Sequence, residues 1–300
     1  MTAIAPVAPT TRLGPAAHHR ARAVRNGLAT ALIVMSFVVV LVPLALVIGY
    51  VVARGREVFG YGFLTKEIPT PRTPGAGMGP AVYGTLLITG AATVMAVPLG
   101  VLGGVYLSEY GRRGLVARVL RFLAEVMTGV PSIVMGLFVY TAVVLHTRDL
   151  NAFAGSLALA CLMLPIVIRT TDEMLRLVPA ELREGSVALG SRQARTIVRI
   201  VLPAAAPGIV SGALLAVARA AGETAPLLFV IGGAFRTNRS LFNGTNTTLS
   251  VQIFKNASSP FVASQQRAWA AALTLIGIVF IFTVLARVVT AVYSRRSSAA

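Results

Sequence analysis

Two ionisable residues, Arg219 and Glu223, interrupt an apolar run that reads Ala218-Arg219-Ala-Ala-Gly222-Glu223-Thr224-Ala-Pro226-Leu227. On a helix their spacing of four lets them pair. If Gly208 to Ala234 is one membrane-crossing helix, Arg219 lies about 11 residues in, roughly 16 Å along its axis and near the middle of a ~30 Å hydrocarbon layer. An ionisable group there costs about 2.5–3.5 kcal/mol unless it is paired or wetted. Two chemistries fit. The pair is a neutralised ion pair that orients helices, or Arg219 offers a planar, permanently charged fork to a passing anion while Glu223 holds it in place. Gly222 and Pro226 weaken the helix at this point, which favours the anion path.

Other chemistries lack their residues. The two lysines, Lys66 and Lys255, are not preceded by glycine, so there is no Gly-x-x-x-x-Gly-Lys-Ser/Thr loop to hold ATP. There is no His-Glu-x-x-His, and no serine or cysteine nucleophile with an evident base. The single cysteine, Cys161, lies in an apolar run, and the three histidines are His18, His19 and His146, so neither an internal disulfide nor a metal cluster is expected. These absences point away from an enzyme and from a cofactor bound by this chain.

A second stretch, Glu181 to Pro203, is built for contact. Pro179 suits the first turn of a helix, Glu181 and Glu184 complement its dipole, and Gly190 suits a left-handed cap. Leu182, Gly185, Ser186 and Leu189 share a shallow apolar face suited to a partner's groove, with Arg183 and Glu184 turned aside. Ser191 is expected to cap a second helix lying along the membrane interface, with Ile197, Ile200 and Val201 on one face and Arg192, Arg195 and Arg199 toward lipid phosphates. The order Glu184, Gly185-Ser186, Gly190, then Ile200-x-Leu202-Pro203 resembles the EAA loop of ABC-importer permeases, with Gly185 and Ser186 where that loop usually has two alanines. The resemblance implies that this loop is a cytoplasmic coupling helix docking on an ATPase subunit. A surface helix-Gly-helix connection without a partner is the plainer alternative.

Both stretches need a membrane to hold them. Of the 300 residues, 56% are hydrophobic and 12% charged, and the mean hydropathy is +0.78. This is the composition of an integral membrane protein. The net charge of +17 would suggest nucleic acid in a soluble chain, but here the arginines fill gaps between apolar runs and suit anionic lipid instead. Six spans are expected: Leu28 to Ala53, Val82 to Leu107, Phe122 to Leu145, Ala152 to Ile168, Gly208 to Ala234 and Ala268 to Tyr293. The first has neither the short core nor the cleavage site of a signal peptide. The third carries Glu125 and a break at Gly129-Val130-Pro131-Ser132.

Around these spans, residues 1–26 read as a disordered basic tail and 27–81 as the first span with an extracytoplasmic loop. Residues 82–294 form the permease domain with its loop at 179–203, and 295–300 a second tail. Gly75, Gly77 and Gly79 lack the strand-turn-helix setting of a nucleotide loop. Phe235 to Gln266 reads as a long polar loop. Gly100 with Gly104, and Gly208 with Gly212, form small-xxx-small faces for close helix contact. The side holding both termini and the Glu181–Pro203 loop carries 17 of the 27 Lys and Arg, and the opposite side nine, so both ends are expected in the cytoplasm.

Across roughly residues 80–290 the chain resembles phosphate-transport permeases of the PstA type. The matching stretches are Gly84-Thr85, Val97 to Gly100, Tyr106-Leu107-Ser108-Glu109-Tyr110, Gly129 to Val134 with Ser132, Pro165 to Arg169, and Arg219 to Leu227, the last being the most specific. The resemblance implies an all-α, six-span, MetI-like type I importer fold in a bacterial cell membrane. It also implies inorganic phosphate as substrate and a pathway that includes Arg219, Glu223, Thr224 and Ser132. The partners it implies are a second permease, an ATPase dimer carrying ATP and Mg²⁺, and an extracytoplasmic phosphate-binding protein; lipid surrounds the chain and nucleic acid has no place. Two alternatives stay open. One is an ABC permease for another solute such as a different oxyanion; the other is a membrane scaffold that signals transporter state, which the absence of long cytoplasmic domains disfavours.

Overall fold

A computed structural model describes residues 17–75, 77–111 and 114–297. The expected tail over 1–16, Arg112, Arg113 and residues 298–300 lie outside the described residues. All regular structure among the described residues is helical: α1 (Ala17–Gly55), α2 (Tyr61–Thr65), α3 (Gly79–Val105), α4 (Leu115–Gly129), α5 (Ser132–Val139), α6 (Leu145–Thr147) and α7 (Ala152–Arg176). Then come α8 (Ala180–Ala188), α9 (Gln193–Thr196), α10 (Leu202–Gly222), α11 (Leu227–Val230), α12 (Leu249–Ala257) and α13 (Val262–Ser297). The helix α1 starts inside the stretch read as a tail, and α13 continues through Arg295 and Arg296. The chain divides after Tyr50 into two units, the first consisting of α1 up to that residue among the described residues.

Among the described residues, five helices are long and apolar enough to cross a membrane: Arg22–Gly55, Gly79–Tyr110, Ala152–Arg176, Gln193–Gly222 and Val262–Ala291. A sixth exists if Leu115–Gly129 and Ser132–Thr147 are counted together, but the two are bent by 105° at Val130-Pro131. The expected third span is therefore not a straight rod. Pro131 precedes Ser132 with extended backbone, and Pro131 cannot donate to a preceding turn, so the sequence break becomes a corner.

In the second unit α7 is the central element, and glycine lets two helices approach it. A Cβ on Gly100 would lie 2.7 Å from Val167 Cβ, and one on Gly104 would lie 2.5 Å from Thr171 Cβ, which brings α3 onto α7 at backbone distance. On the other side Gly208 and Gly212 of α10 meet Met174 and Thr170 of α7. Ile88, Ala92, Ala96, Leu159, Met163 and Val217 fill the core between the three helices. Gly104→Val is expected to overpack this contact by about 1–3 kcal/mol or more. Thermal unfolding in detergent should shift down for Gly104→Val and stay at the parental temperature for Gly90→Ala, whose Cβ would meet nothing within 4 Å.

The stretch expected as a polar loop, Phe235 to Gln266, contains α12, whose Leu249, Val251, Gln252 and Asn256 are buried. Thr248 caps it, and its polar side chains satisfy one another: Asn256 Nδ2 donates to Gln252 Oε1 at 2.9 Å, and Gln252 Nε2 to Thr247 Oγ1 at 3.0 Å. Internal pairing of this kind makes burial of amides affordable and hides a core helix behind a polar composition. Arg267 is equally hidden, donating to the carbonyls of Thr73, Thr70 and Pro71 and so tying the 70–73 segment to α13.

Candidate functional site

The Arg219 region is built by a helix that stops early. Instead of continuing to Ala234, α10 ends at Gly222, and Glu223 has extended backbone (φ −68°, ψ 133°). Glycine holds a helix weakly and Pro226 lacks the N–H to continue one, so the chain restarts as the single turn α11 with Pro226 at its cap. Arg219 thus stands in the last turn of its helix rather than at the middle of a longer one. Its Nε lies 3.5 Å from Glu223 Oε1, with Arg219 71% and Glu223 21% exposed. An ion pair so open to its surroundings contributes at most about 1 kcal/mol, which leaves the guanidinium available to another anion.

Two other elements converge on the 223–226 segment. Ser250 of α12 donates from Oγ to the Glu223 carbonyl at 2.8 Å. Gly136 of α5 lies against Pro226, where a Cβ would come within 2.5 Å of Pro226 Cα. Ser132 is one turn before Gly136 on the same face of α5 and half-buried, as is Thr224. Arg219, Glu223, Thr224 and the first turn of α5 therefore occupy one region. The Glu184–Pro203 residues are gathered near the opposite end of α10, about 30 Å away at ~1.5 Å per residue.

At that end α8 runs from Ala180 to Ala188 after Pro179. Gly190 has φ +82°, its N–H donates to Val187 O at 2.9 Å, and the Ser191 N–H donates to Ser186 O at 3.1 Å. This is the Schellman pairing, which a left-handed residue makes possible. Leu182, Val187 and Leu189 are exposed, Leu189 at 88%, and Glu184 and Gly185 are exposed beside them. Ser186 does not share that face. It is buried, its Oγ 2.8 Å from Thr196 Oγ1, so it ties α8 to the next helix. An open groove of about 720 Å³ runs alongside, lined by Glu109, Arg183, Glu184, Val187, Gln193 and Ile197 among others.

The separate interfacial helix expected after Ser191 is instead the start of a membrane-length helix. Arg192, not Ser191, precedes its first turn; α9 passes through a π turn at Ile197–Val201 directly into α10. Pro203, which cannot donate to the Arg199 carbonyl, stands next to that π turn and gives a local reason for it. Ile197 and Val201 are buried, Ile200 and Leu202 half-buried, and Arg192, Arg195, Arg199 and Pro203 exposed.

Two clusters were not legible beforehand. Arg183, expected to turn aside, donates from Nη2 to Glu109 Oε1 at 2.8 Å and to Leu175 O at 2.8 Å, and from Nη1 to Val178 O at 2.6 Å. Asp172 of α7 receives Arg176 through both oxygens and lies 3.6 Å from Arg121 Nε, while Arg121 Nη2 donates to Leu107 O at 2.6 Å. This second cluster pins α4 to α7. Its only advance signal was the presence of charges at the ends of apolar runs.

Known proteins share both the sequence and the fold. Residues 96–297 match the family of binding-protein-dependent transport system inner membrane components. The chain is 45% identical over 279 residues to phosphate transport system permease protein PstA 1 of Mycobacterium tuberculosis strain H37Rv, covering 92% of this chain and 90% of that protein. It is 44% identical to the PstA permease of Mycobacterium leprae (85% of each chain) and 44% to that of Yersinia pestis (80% of this chain, 81% of the relative). In structure it resembles a chain of the inward-facing MetNI methionine ABC transporter, with a TM-score of 0.59 at 18% identity over 71% of this chain and 94% of that one.

Proposed function

Because the chain belongs to the family of binding-protein-dependent transport system inner membrane components, we propose that it is a permease subunit of an ATP-driven importer of inorganic phosphate. The observation that carries this reading is 45% identity along 92% of the chain with a protein named as a phosphate transport permease. Its work is transport rather than catalysis. ATP and Mg²⁺ are held by a separate ATPase dimer, a second permease completes the path, and an extracytoplasmic binding protein delivers phosphate.

Arg219 supports the choice of an anion. A permanently charged side chain 71% exposed in the last turn of a membrane-length helix carries a desolvation penalty wherever hydrocarbon covers it, smaller there than at the centre of a span. A wet path completed by a second subunit removes that penalty, and there the planar fork replaces part of the phosphate's hydration. Glu223 holds the guanidinium between passages, with Thr224 and Ser132 offering hydroxyls to phosphate oxygens. At the other end of α9–α10, the exposed Leu182, Val187 and Leu189 dock on the ATPase while Glu184 and Gly190 fix the shape of α8. Uptake of labelled phosphate in cells that make the partner subunits should depend on this chain and be insensitive to a tenfold excess of sulfate. Equal competition by sulfate would contradict phosphate as the substrate.

The arginine distribution supports an orientation with both termini and α8 in the cytoplasm of a bacterium and the 236–248 segment outside. Single cysteines at the exposed positions Arg195 and Asn243, in a Cys161→Ala background, should react with an impermeant maleimide from opposite sides of the membrane. Labelling of both from one side would contradict this topology.

A further inference from the structure

α8 buries little apolar surface: Leu182 is 47% and Val187 56% exposed, and Ser186 is its one buried residue among those described. What holds it is polar. Ser186 bonds Thr196 at the start of the α9–α10 helix, and Arg183 reaches the other way, to the π turn Tyr106–Tyr110 that ends the α3 span. There Arg183 Nη2 and Nε approach the two oxygens of Glu109 at 2.8 and 3.4 Å, the fork-to-fork arrangement that fixes direction as well as distance. Glu109 is 5% and Arg183 15% exposed, so water does not screen the pair. The same guanidinium closes the open carbonyls of Leu175 and Val178 at the end of α7, and Gln193 Nε2 donates to the Glu109 carbonyl at 3.2 Å.

Because α3 and α7 approach each other at glycine distance, a displacement of Arg183 moves both together. From this we infer that the Glu109–Arg183 pair is the strut that converts movement of α8 into movement of the α3–α7 pair. Thr196 carries the complementary half of the displacement into α10 and so toward Arg219. Both residues are positioning residues; neither touches ATP or the transported ion. The inference rests on the coupling function proposed for α8. It adds that docking and transmission are separable, since the docking face is Leu182, Val187 and Leu189 while the strut faces the membrane domain.

The test uses the complete complex in proteoliposomes, with the second permease, the ATPase and the binding protein. Glu109→Gln keeps size and one acceptor but removes the charge, and the pair Glu109→Gln with Arg183→Gln removes the uncompensated buried charge as well. Three readings are taken on each preparation: ATPase co-purification, ATP hydrolysed, and labelled phosphate imported. Expected is parental co-purification with phosphate imported per ATP reduced roughly tenfold or more, the scale of one charge-assisted hydrogen bond. A role confined to folding would instead remove the ATPase and transport together, and recover both in the double variant; that result overturns the strut, as does an unchanged ratio of phosphate to ATP. A parental complex that hydrolyses ATP without moving phosphate would remove the transport function itself, an outcome distinct from either.

Discussion

Gly190→Val is expected to leave the complex without its ATPase and without uptake. Gly190 sits at φ +82°, where a β-branched residue is strained, and two backbone bonds depend on that conformation. Strain and lost bonds together amount to roughly 2–4 kcal/mol, on the order of 30- to 1,000-fold fewer correctly formed loops. Nothing lies within 4 Å of a Cβ at this position, so the effect is conformational rather than steric. Asparagine tolerates the left-handed region, and Gly190→Asn should therefore keep most co-purification and uptake. Equal behaviour of the valine and asparagine variants would show that the cap does not hold the docking helix.

The second large effect belongs to Arg219 and Glu223. Were they only an ion pair, the double variant Arg219→Gln with Glu223→Gln would recover assembly and transport together, because removing both charges leaves neither uncompensated. If Arg219 meets the passing anion, that variant assembles and hydrolyses ATP but imports phosphate roughly 10- to 100-fold more slowly, the scale of a charge-assisted hydrogen bond. Arg219→Lys keeps the charge and loses the fork, and should fall between parent and double variant. The comparison is cleaner than the sequence suggested. With Arg219 71% exposed in the last turn of α10, Arg219→Lys disturbs no packed core, and Glu223→Gln, at a side chain 21% exposed, keeps the size of the residue it replaces. Parental uptake by the double variant would leave the pair a structural one.

What the sequence disclosed was what is decided locally. Gly190 is read from its place after Leu189, and the glycine pairs of α3 and α10 from their spacing, because caps and small-residue faces involve neighbours in the chain. The end of α10 was misread because hydrophobicity continues past Pro226 into α11; span length follows apolar composition, but helix continuity follows backbone donors. The interfacial helix was misread for the converse reason. Its arginines suggested a surface, while its backbone passes through a π turn into the membrane-length helix. At Val130-Pro131 the break was visible but its 105° angle was not, since Arg121, reaching Leu107 and Asp172, helps fix where α4 lies. Glu109 and Arg183 are 74 residues apart, and only the folded chain brings them together.

A permease subunit of an ATP-driven importer must let phosphate move uphill at the expense of ATP. Proteoliposomes holding the complete complex, with ATP supplied on the α8 side and binding protein with labelled phosphate on the other, measure it directly. Predicted is accumulation of phosphate above its external concentration that stops without ATP or binding protein and is lost with Gly190→Val. Phosphate that merely equilibrates, or that accumulates equally without ATP, would contradict it.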